Sequence, residues 1–110
     1  MTPIDQALAA LAEPRRRALV ERLRGGEQRP SELADALALS RPAVSRHLKV
    51  LRDAGLVEER IAPGDARERL VRLQPRALAP LQAWLEDLAA MWDDQLESFA
   101  AHVEERHRER

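Results

Sequence analysis

The chain has 110 residues, enough for one domain with a modest core, and its 45% hydrophobic and 34% charged residues exclude an intrinsically disordered protein. It contains no cysteine, which excludes disulfides, thiolate metal sites and cysteine nucleophiles. No apolar run approaches the ~20 residues that a membrane span needs, and the start does not resemble a signal peptide, so we predict a cytoplasmic protein with no membrane partner.

Charge is distributed unevenly along the chain, although the net charge is only −1. Residues 1–72 contain 14 Lys and Arg against 11 Asp and Glu, whereas residues 73–110 contain 4 against 8. Residues 41–52 contain four basic residues and no acidic one. The distribution predicts a basic surface within the body of the chain, followed by an acidic last segment.

The first two predicted elements are short helices. The apolar residues Ile4, Leu8 and Leu11 recur at helical spacing and indicate the first helix. The second should cover residues 14–23, because it begins with a proline, which suits the first position of a helix. Two consecutive glycines at positions 25 and 26 should end it.

The next two predicted helices are separated by a tight turn at residues 39–40. Ser31 is expected to cap the third helix, which runs over residues 32–37. The fourth helix begins near residues 41–42, with either Ser40 or Arg41 as its cap, and ends at residues 54–55. The residues predicted to form its buried face are Val44, Leu48 and Leu51.

Two short strands follow, over residues 56–61 and 68–73. Residues 63–65, Pro-Gly-Asp, lie between them, and proline with glycine between strand-like runs indicates a hairpin. Two helices joined by a tight turn and followed by a hairpin have the order of a winged helix-turn-helix. We therefore predict a mainly α fold with a small β-hairpin wing, ordered α-α-α-α-β-β-α, in one domain over residues 1–110.

The last predicted element is a long helix over residues 80–106, preceded by a loose turn because prolines occupy positions 75 and 80. Its apolar residues alternate between spacings of three and four, which is typical of a seam that packs against a partner helix. The seam residues are Leu81, Leu85, Leu88, Trp92, Leu96, Phe99 and Val103. Trp84 and Trp92 share one face, which indicates packing in a core or dimer interface; the alternative is a small-molecule pocket.

The predicted function lies on the fourth helix. An α-helix fits the major groove of DNA, and its first turns present side chains to base edges. The candidate contact residues are Arg41, Pro42, Ala43, Ser45, Arg46, His47 and Lys49. Arg46 suits a bidentate contact with guanine, whereas His47 and Lys49 suit phosphates. The alternatives are a solvated helix face for the basic residues and an internally hydrogen-bonded histidine for His47.

The predicted hairpin carries three arginines, Arg60, Arg67 and Arg69, which are expected to hold phosphates or to enter the minor groove. The alternative is ordinary strand-edge charge, which discourages aggregation.

Three segments carry a resemblance to a known family. Residues 40–57, SRPAVSRHLKVLRDAGLV, resemble the signature of the ArsR family of bacterial and archaeal repressors. Residues 11–17, LAEPRRR, and 31–34, SELA, are similar to the family's second and third helices. The resemblance implies a symmetric dimer on a palindromic operator, usually a repressor that is released by a signal.

The resemblance also implies the partners and the dimer interface. The partners would be double-stranded operator DNA, a second copy of the chain and a small-molecule effector of unknown chemistry. The dimer would form mainly through the first and last helices. The interface residues would be Ile4, Leu8, Leu11, Leu85, Leu88, Trp92, Leu96 and Phe99.

The chain departs from the metal-sensing members of this family, so we predict neither a metal nor a cofactor. Residues 33–37, LADAL, stand where those members often carry Cys-x-Cys. On the last helix, His102 and Glu105 supply half of a second type of site, but Ala89 and Met91 occupy the upstream ligand positions. His107 completes the group of candidate ligands there.

Two alternative functions follow. One is a metal-responsive repressor that uses the degenerate site around His102 and Glu105, and the other is a protein-interaction module that has lost DNA binding. An enzyme is disfavoured, because nothing groups a nucleophile with a base and an orienting residue.

Overall fold

The computed structural model describes residues 1–108, and the side chains of residues 1–106. The elements, in chain order, are α1 (Pro3–Leu11), α2 (Pro14–Leu23), α3 (Pro30–Leu37), α4 (Arg41–Asp53), β1 (Val57–Ala62), β2 (Asp65–Leu73), a 3₁₀ turn (Pro75–Leu78) and α5 (Ala79–Arg108). This is the predicted order of elements, and the 3₁₀ turn stands where the loose turn was expected. None of the described helices is long and apolar enough to cross a bilayer.

Side chains cap the N-termini of three of the helices. Thr2 and Asp5 form a reciprocal capping box at α1, with Thr2 Oγ1 accepting from Asp5 N at 3.1 Å. Glu13 caps α2 by accepting from the backbone N–H groups of Arg15 and Arg16. Ser40 caps α4, with its Oγ accepting from the N–H of Ala43 at 3.2 Å, which decides between the two residues considered for this cap.

The predicted cap of α3 was wrong. The helix begins at Pro30 with Arg29 before it, so Ser31 lies within the first turn and does not cap it. The physical reason is that proline already has a helical φ and has no N–H to be satisfied at this position. The Arg29 side chain makes no capping hydrogen bond to this helix.

The turn between α1 and α2 is held by two arginines of the LAEPRRR segment. Arg16 Nε donates to the carbonyl oxygen of Ala10 at 2.6 Å, and Arg17 Nη1 donates to that of Leu11 at 2.8 Å. These carbonyls belong to the last turn of α1, where they have no partner within the helix. The segment thus caps the end of one helix and, through Glu13, the start of the next.

The core of residues 1–79 is built from aliphatic side chains of the helices and the hairpin. Its buried residues are Ala7, Ala10, Leu19, Leu23, Leu33, Ala34, Val44, Leu48, Leu51, Leu56, Val57, Ala62 and Val71. The predicted inner face of α4 is confirmed, because Val44, Leu48 and Leu51 are each at most 2% exposed. Burial of this face leaves the other side of α4 in solvent.

The hairpin is longer than predicted on its second side. β2 begins at Asp65 and not at residue 68, because Ala62 pairs with Asp65 across a turn in which Gly64 has a φ of 84°. The register shifts between Ile61 and Ala62. From Val57 to Ile61 the pairing is regular, so Glu59 and Val71 are opposite each other and share a face of the hairpin.

α5 belongs to a second compact unit, which begins at Pro80. Pro80 is the second residue of the helix, a position where its missing N–H breaks no intrahelical bond. The large apolar side chains exposed along the helix are Trp84, Leu85, Met91, Trp92, Leu96, Phe99 and Val103.

Candidate nucleic-acid interface

The outer face of α4 consists of exposed side chains from its first three turns. The exposed candidates are Arg41, Pro42, Ser45, Arg46 and Lys49, whereas Ala43 and His47 are half-buried. Lys49 Nζ lies 3.0 Å from Asp53 Oδ2, one turn further along the helix. Within the part of the chain whose side chains are described, Arg41 and Arg46 form no ion pair with a carboxylate.

α4 borders a cleft of about 830 Å³ between the helices and the hairpin. Four α4 residues line it, namely Arg41, Ser45, Leu48 and Arg52. The first turn of α3 contributes Pro30 and Ser31, β1 contributes Val57, Glu58 and Glu59, and β2 contributes Arg69. The structure therefore brings Arg69 to the same cleft as the first turns of α4.

Glu59 holds the wing and α4 together at this cleft. Its Oε1 accepts from Arg52 Nη1 at 2.8 Å, and its Oε2 lies 3.6 Å from Arg69 Nη1. The carboxylate side chain is only 13% exposed, against 44% for Arg52 and 67% for Arg69. Sequence analysis missed Glu59, because its partners lie on two other elements and only the three-dimensional packing brings them together.

Arg60 lies on the opposite face of the hairpin from Glu59, because successive strand residues point to opposite sides. Its Nε donates to Glu27 Oε2 at 2.8 Å, and its Nη2 pairs with the other carboxylate oxygen. This hydrogen bond lowers the pKa of Glu27 below its usual value, and Arg60 and Arg72 add favourable charge. The pair connects the α2–α3 loop to β1.

Arg67 is exposed near the hairpin turn, where its backbone N–H donates to Asp65 Oδ1 at 2.9 Å. On the same strand, Glu68 forms an ion pair with Arg29, whose Nε lies 2.7 Å from Glu68 Oε2. The structure thus separates the three predicted wing arginines: Arg69 faces the cleft, Arg67 lies near the tip, and Arg60 is engaged on the other face.

His47 lies towards the start of α2. Partial burial by itself would raise the pKa of Glu13, but hydrogen bonds from the Arg16 and Arg15 N–H groups, together with electrostatic interactions with His47 and Arg15, lower it below its usual value. His47 is therefore at the edge of the exposed face of α4, on the side of the α2 cap.

The residues of the degenerate metal site do not fit a metal ion. His102 and Glu105 are one turn apart on α5, and the upstream positions hold Ala89 and Met91, which offer no oxygen or nitrogen ligand. Among the residues described, no group of three or more His, Cys, Asp or Glu side chains is placed to hold a metal. The side chain of His107 lies outside the described residues.

The predicted dimer residues are distributed over the two units. On α1, Leu8 is exposed and Ile4 and Leu11 are half-buried. On α5, Leu88 is half-buried, whereas the other four are exposed. Those four exposed residues are Leu85, Trp92, Leu96 and Phe99.

Comparisons with known proteins agree with this architecture. Residues 13–59 match the model of the family described as bacterial regulatory protein, arsR family. The chain is 45% identical over 100 residues to the HTH-type transcriptional regulator Rv2034 of Mycobacterium tuberculosis, covering 91% of this chain and 88% of that protein. It is also 45% identical over 74 residues to the HTH-type transcriptional repressor SmtB of the same species, covering 67% of this chain and 53% of the repressor.

A solved structure shows the same fold. The homodimeric winged helix-turn-helix DNA-binding domain Mb0332 of Mycobacterium bovis, determined by solution NMR, superposes with a TM-score of 0.63 at 27% identity, covering 86% of this chain and 82% of that one. The predicted winged helix-turn-helix fold is therefore confirmed. The relatives are regulators and not enzymes. This chain belongs to the ArsR family and is a DNA-binding transcriptional regulator.

Proposed function

We propose that this chain is a homodimeric repressor that reads a palindromic operator with α4. The observation that carries the proposal is the division of α4 into two faces. One face is buried and aliphatic, and the other is exposed and contains basic residues but no acidic one from position 41 to position 52. A helix of this kind fits the major groove, where its N-terminal turns meet base edges.

The exposed residues of α4 receive different roles. Arg46 is exposed and free of an ion pair within the described side chains, so its guanidinium suits a bidentate contact with guanine. Ser45 suits a base or a phosphate. The exposed Pro42 and the half-buried Ala43 are small enough for close approach, and both suit an apolar contact with a thymine methyl group.

Phosphate contacts would fix the helix in the groove. Lys49 and the half-buried His47 are the α4 residues assigned to phosphates, and Arg41 suits either a phosphate or a base. From the wing, Arg69 at the cleft and Arg67 near the hairpin tip are exposed and suit phosphates. Arg60 would have to leave Glu27 to reach DNA, so for this residue we favour a structural role, in which its ion pair with Glu27 steadies the hairpin, over contact with DNA.

The dimer would be symmetric and would use α1 and the apolar seam of α5. The support is the row of exposed aromatic and aliphatic side chains on α5, since exposed apolar patches of this kind mark interaction sites. The homodimeric structure of the Mycobacterium bovis relative agrees with it. Two α4 helices related by a two-fold axis would then enter successive major grooves about 34–36 Å apart.

Binding to DNA tests the proposal directly. The purified protein is titrated against a labelled fragment of its own upstream promoter by fluorescence anisotropy, with random duplex as competitor and with and without zinc. We expect saturable binding that random DNA does not displace and that zinc does not change. Zinc-dependent release that His102→Ala abolishes would instead support the metal-responsive alternative. A protein with no preference over random DNA at any genomic site would support the interaction module.

Arg46→Ala tests the assignment of the reading residue. If Arg46 reads a base, the substitution should weaken operator binding by about 1–3 kcal/mol and relax specificity at one position of each half-site. The matched control is Arg24→Ala, which removes an exposed arginine at the C-cap of α2 that pairs with Glu21 at 3.0 Å. Equal losses in the two variants would mean that only net charge matters at position 46.

Leu96→Glu tests the dimer. A charge in the apolar seam should convert the dimer to a monomer in sedimentation equilibrium and should weaken operator binding. Ala90→Glu adds the same charge at an exposed position outside the seam residues and should leave the dimer intact. A Leu96→Glu variant that remains dimeric would exclude the α5 seam as the interface.

A further inference from the structure

A carboxylate occupies the cleft where the proposed interface needs positive charge. Glu59 lies between the guanidinium of Arg52 on α4, at 2.8 Å, and that of Arg69 on β2, at 3.6 Å. It is the least exposed of the three side chains. In the free protein the carboxylate therefore lies beneath two arginines that point towards the cleft.

The position of Glu59 follows from the hairpin register. Ile61 pairs with Arg69, and Glu59 pairs with Val71, so Glu59 and Arg69 are diagonal neighbours on one face of the hairpin. Arg52 reaches the same carboxylate from α4. One side chain thus links three elements, and the cleft that they line also contains Arg41.

The chemistry of this cluster resembles that of a phosphate site. A guanidinium has five N–H donors, and a carboxylate accepts from it with much the same geometry as a phosphate. In the free protein, Glu59 supplies the negative charge that a DNA backbone would supply in the complex. A phosphate that enters the cleft must either share the two arginines with the Glu59 carboxylate or displace it from them.

We propose that Glu59 is a specificity-determining residue, whose carboxylate withholds Arg52 and Arg69 from DNA that does not fit the rest of the interface. The inference rests on the proposed function of α4. Non-specific binding depends on phosphate contacts alone, so its affinity falls most when the charges of Arg52 and Arg69 are already neutralised. In the operator complex, base contacts fix the register, and Glu59 continues to orient both arginines towards the backbone.

Glu59→Gln tests this role, because it removes the charge and keeps the size and one oxygen acceptor. We expect random duplex to bind about 1.5- to 5-fold more tightly, the range for one exposed charge pair. The slope of log K against log salt should steepen by ~0.9 for each phosphate that is newly neutralised. Affinity for the promoter fragment should change less, so that the ratio of specific to random binding falls.

Two further variants make the test specific. Glu21→Gln removes the same charge and releases Arg24 at the C-cap of α2. Neither residue lines the cleft, so this variant should leave the salt slope unchanged. The double variant Arg52→Gln/Glu59→Gln should return the slope for random DNA towards the wild-type value. A thermal melt of each variant checks that the fold is retained.

Two results would contradict this role of Glu59. If Glu59→Gln weakens binding to both DNAs and leaves the salt slope unchanged, Glu59 is only a structural support and the proposal is wrong. No change with either DNA would also overturn it. A wild-type protein without operator preference would contradict the proposed function, and the response of random DNA to Glu59→Gln would still be measured separately.

Discussion

Replacing Ala38 with glycine should stabilise this protein. Ala38 ends α3 and has φ 53° and ψ 41°, and it is the only non-glycine residue in the described backbone with positive φ. For an L-residue this left-handed conformation costs roughly 1–2 kcal/mol, whereas glycine adopts it freely. The turn between α3 and α4 therefore stores strain in one exposed alanine.

The size of the effect follows from two opposing terms. Glycine relieves the strain, but it also makes the unfolded chain more flexible, which costs about 0.4–1 kcal/mol. The hydrogen bonds of the turn are unaffected, because the carbonyl oxygen of Ala34 accepts from backbone N–H groups that glycine retains, including that of Leu39 at 3.0 Å. We expect a net gain of about 0.5–1 kcal/mol in the free energy of unfolding.

Urea denaturation at one fixed protein concentration measures this gain, since the stability of a dimer depends on concentration. The matched control is Ala36→Gly, an exposed position inside α3, where glycine should cost about 1 kcal/mol. The same substitution two residues apart should therefore have opposite signs. If Ala38→Gly destabilises the protein as much as Ala36→Gly does, the argument from backbone strain is refuted.

Three further predictions concern stability. Leu48→Ala, at a site only 2% exposed, should cost about 2–5 kcal/mol in urea denaturation, whereas Val50→Ala on the exposed side of the helix should cost far less; similar losses would contradict the two-faced α4. Glu13→Ala should cost about 0.5–2 kcal/mol, because the first N–H groups of α2 lose their acceptor, and an unchanged melting temperature would argue against this cap. Arg60 lowers the pKa of Glu27 in the folded protein, so the stability that this pair contributes is present above the pKa of the unfolded carboxyl and is lost as pH falls through the lower folded value. Glu27→Gln should flatten the fall in melting temperature between about pH 6 and pH 3, and a fall of the same steepness would show that this carboxyl does not contribute.

Periodic patterns predicted the helical part of the fold well, because burial follows them directly. The spacing of Val44, Leu48 and Leu51 predicted the buried face of α4, and the remaining positions of the helix were therefore predicted to form its exposed face. The residue preferences for helix caps were less reliable in predicting where a helix begins. Ser31 has the side chain of a typical N-cap residue, but the helix begins one residue earlier, at Pro30. Proline favours this first position because its φ is already helical.

Long-range partners were beyond sequence reasoning. The hairpin was recognised from Pro63 and Gly64, but its register depends on a shift after Ile61 that no local signal marks. That register decides which strand residues face α4. It places Arg69 and Glu59 together at the cleft and directs Arg60 to the other side, so three similar arginines on one predicted hairpin have different surroundings.

The pairing of charges explains how a protein with a net charge of −1 can present a basic reading surface. The acidic side chains near α4 and the wing are engaged: Asp53 pairs with Lys49, and Glu59 pairs with Arg52. Both pairs involve the second half of α4. In the first half, Arg41 and Arg46 have no carboxylate partner among the described side chains, so their charges are not offset by an ion pair at the end of the helix that would meet the bases. Net charge is therefore a poor guide to this surface, and the position of each carboxylate along α4 is the better one.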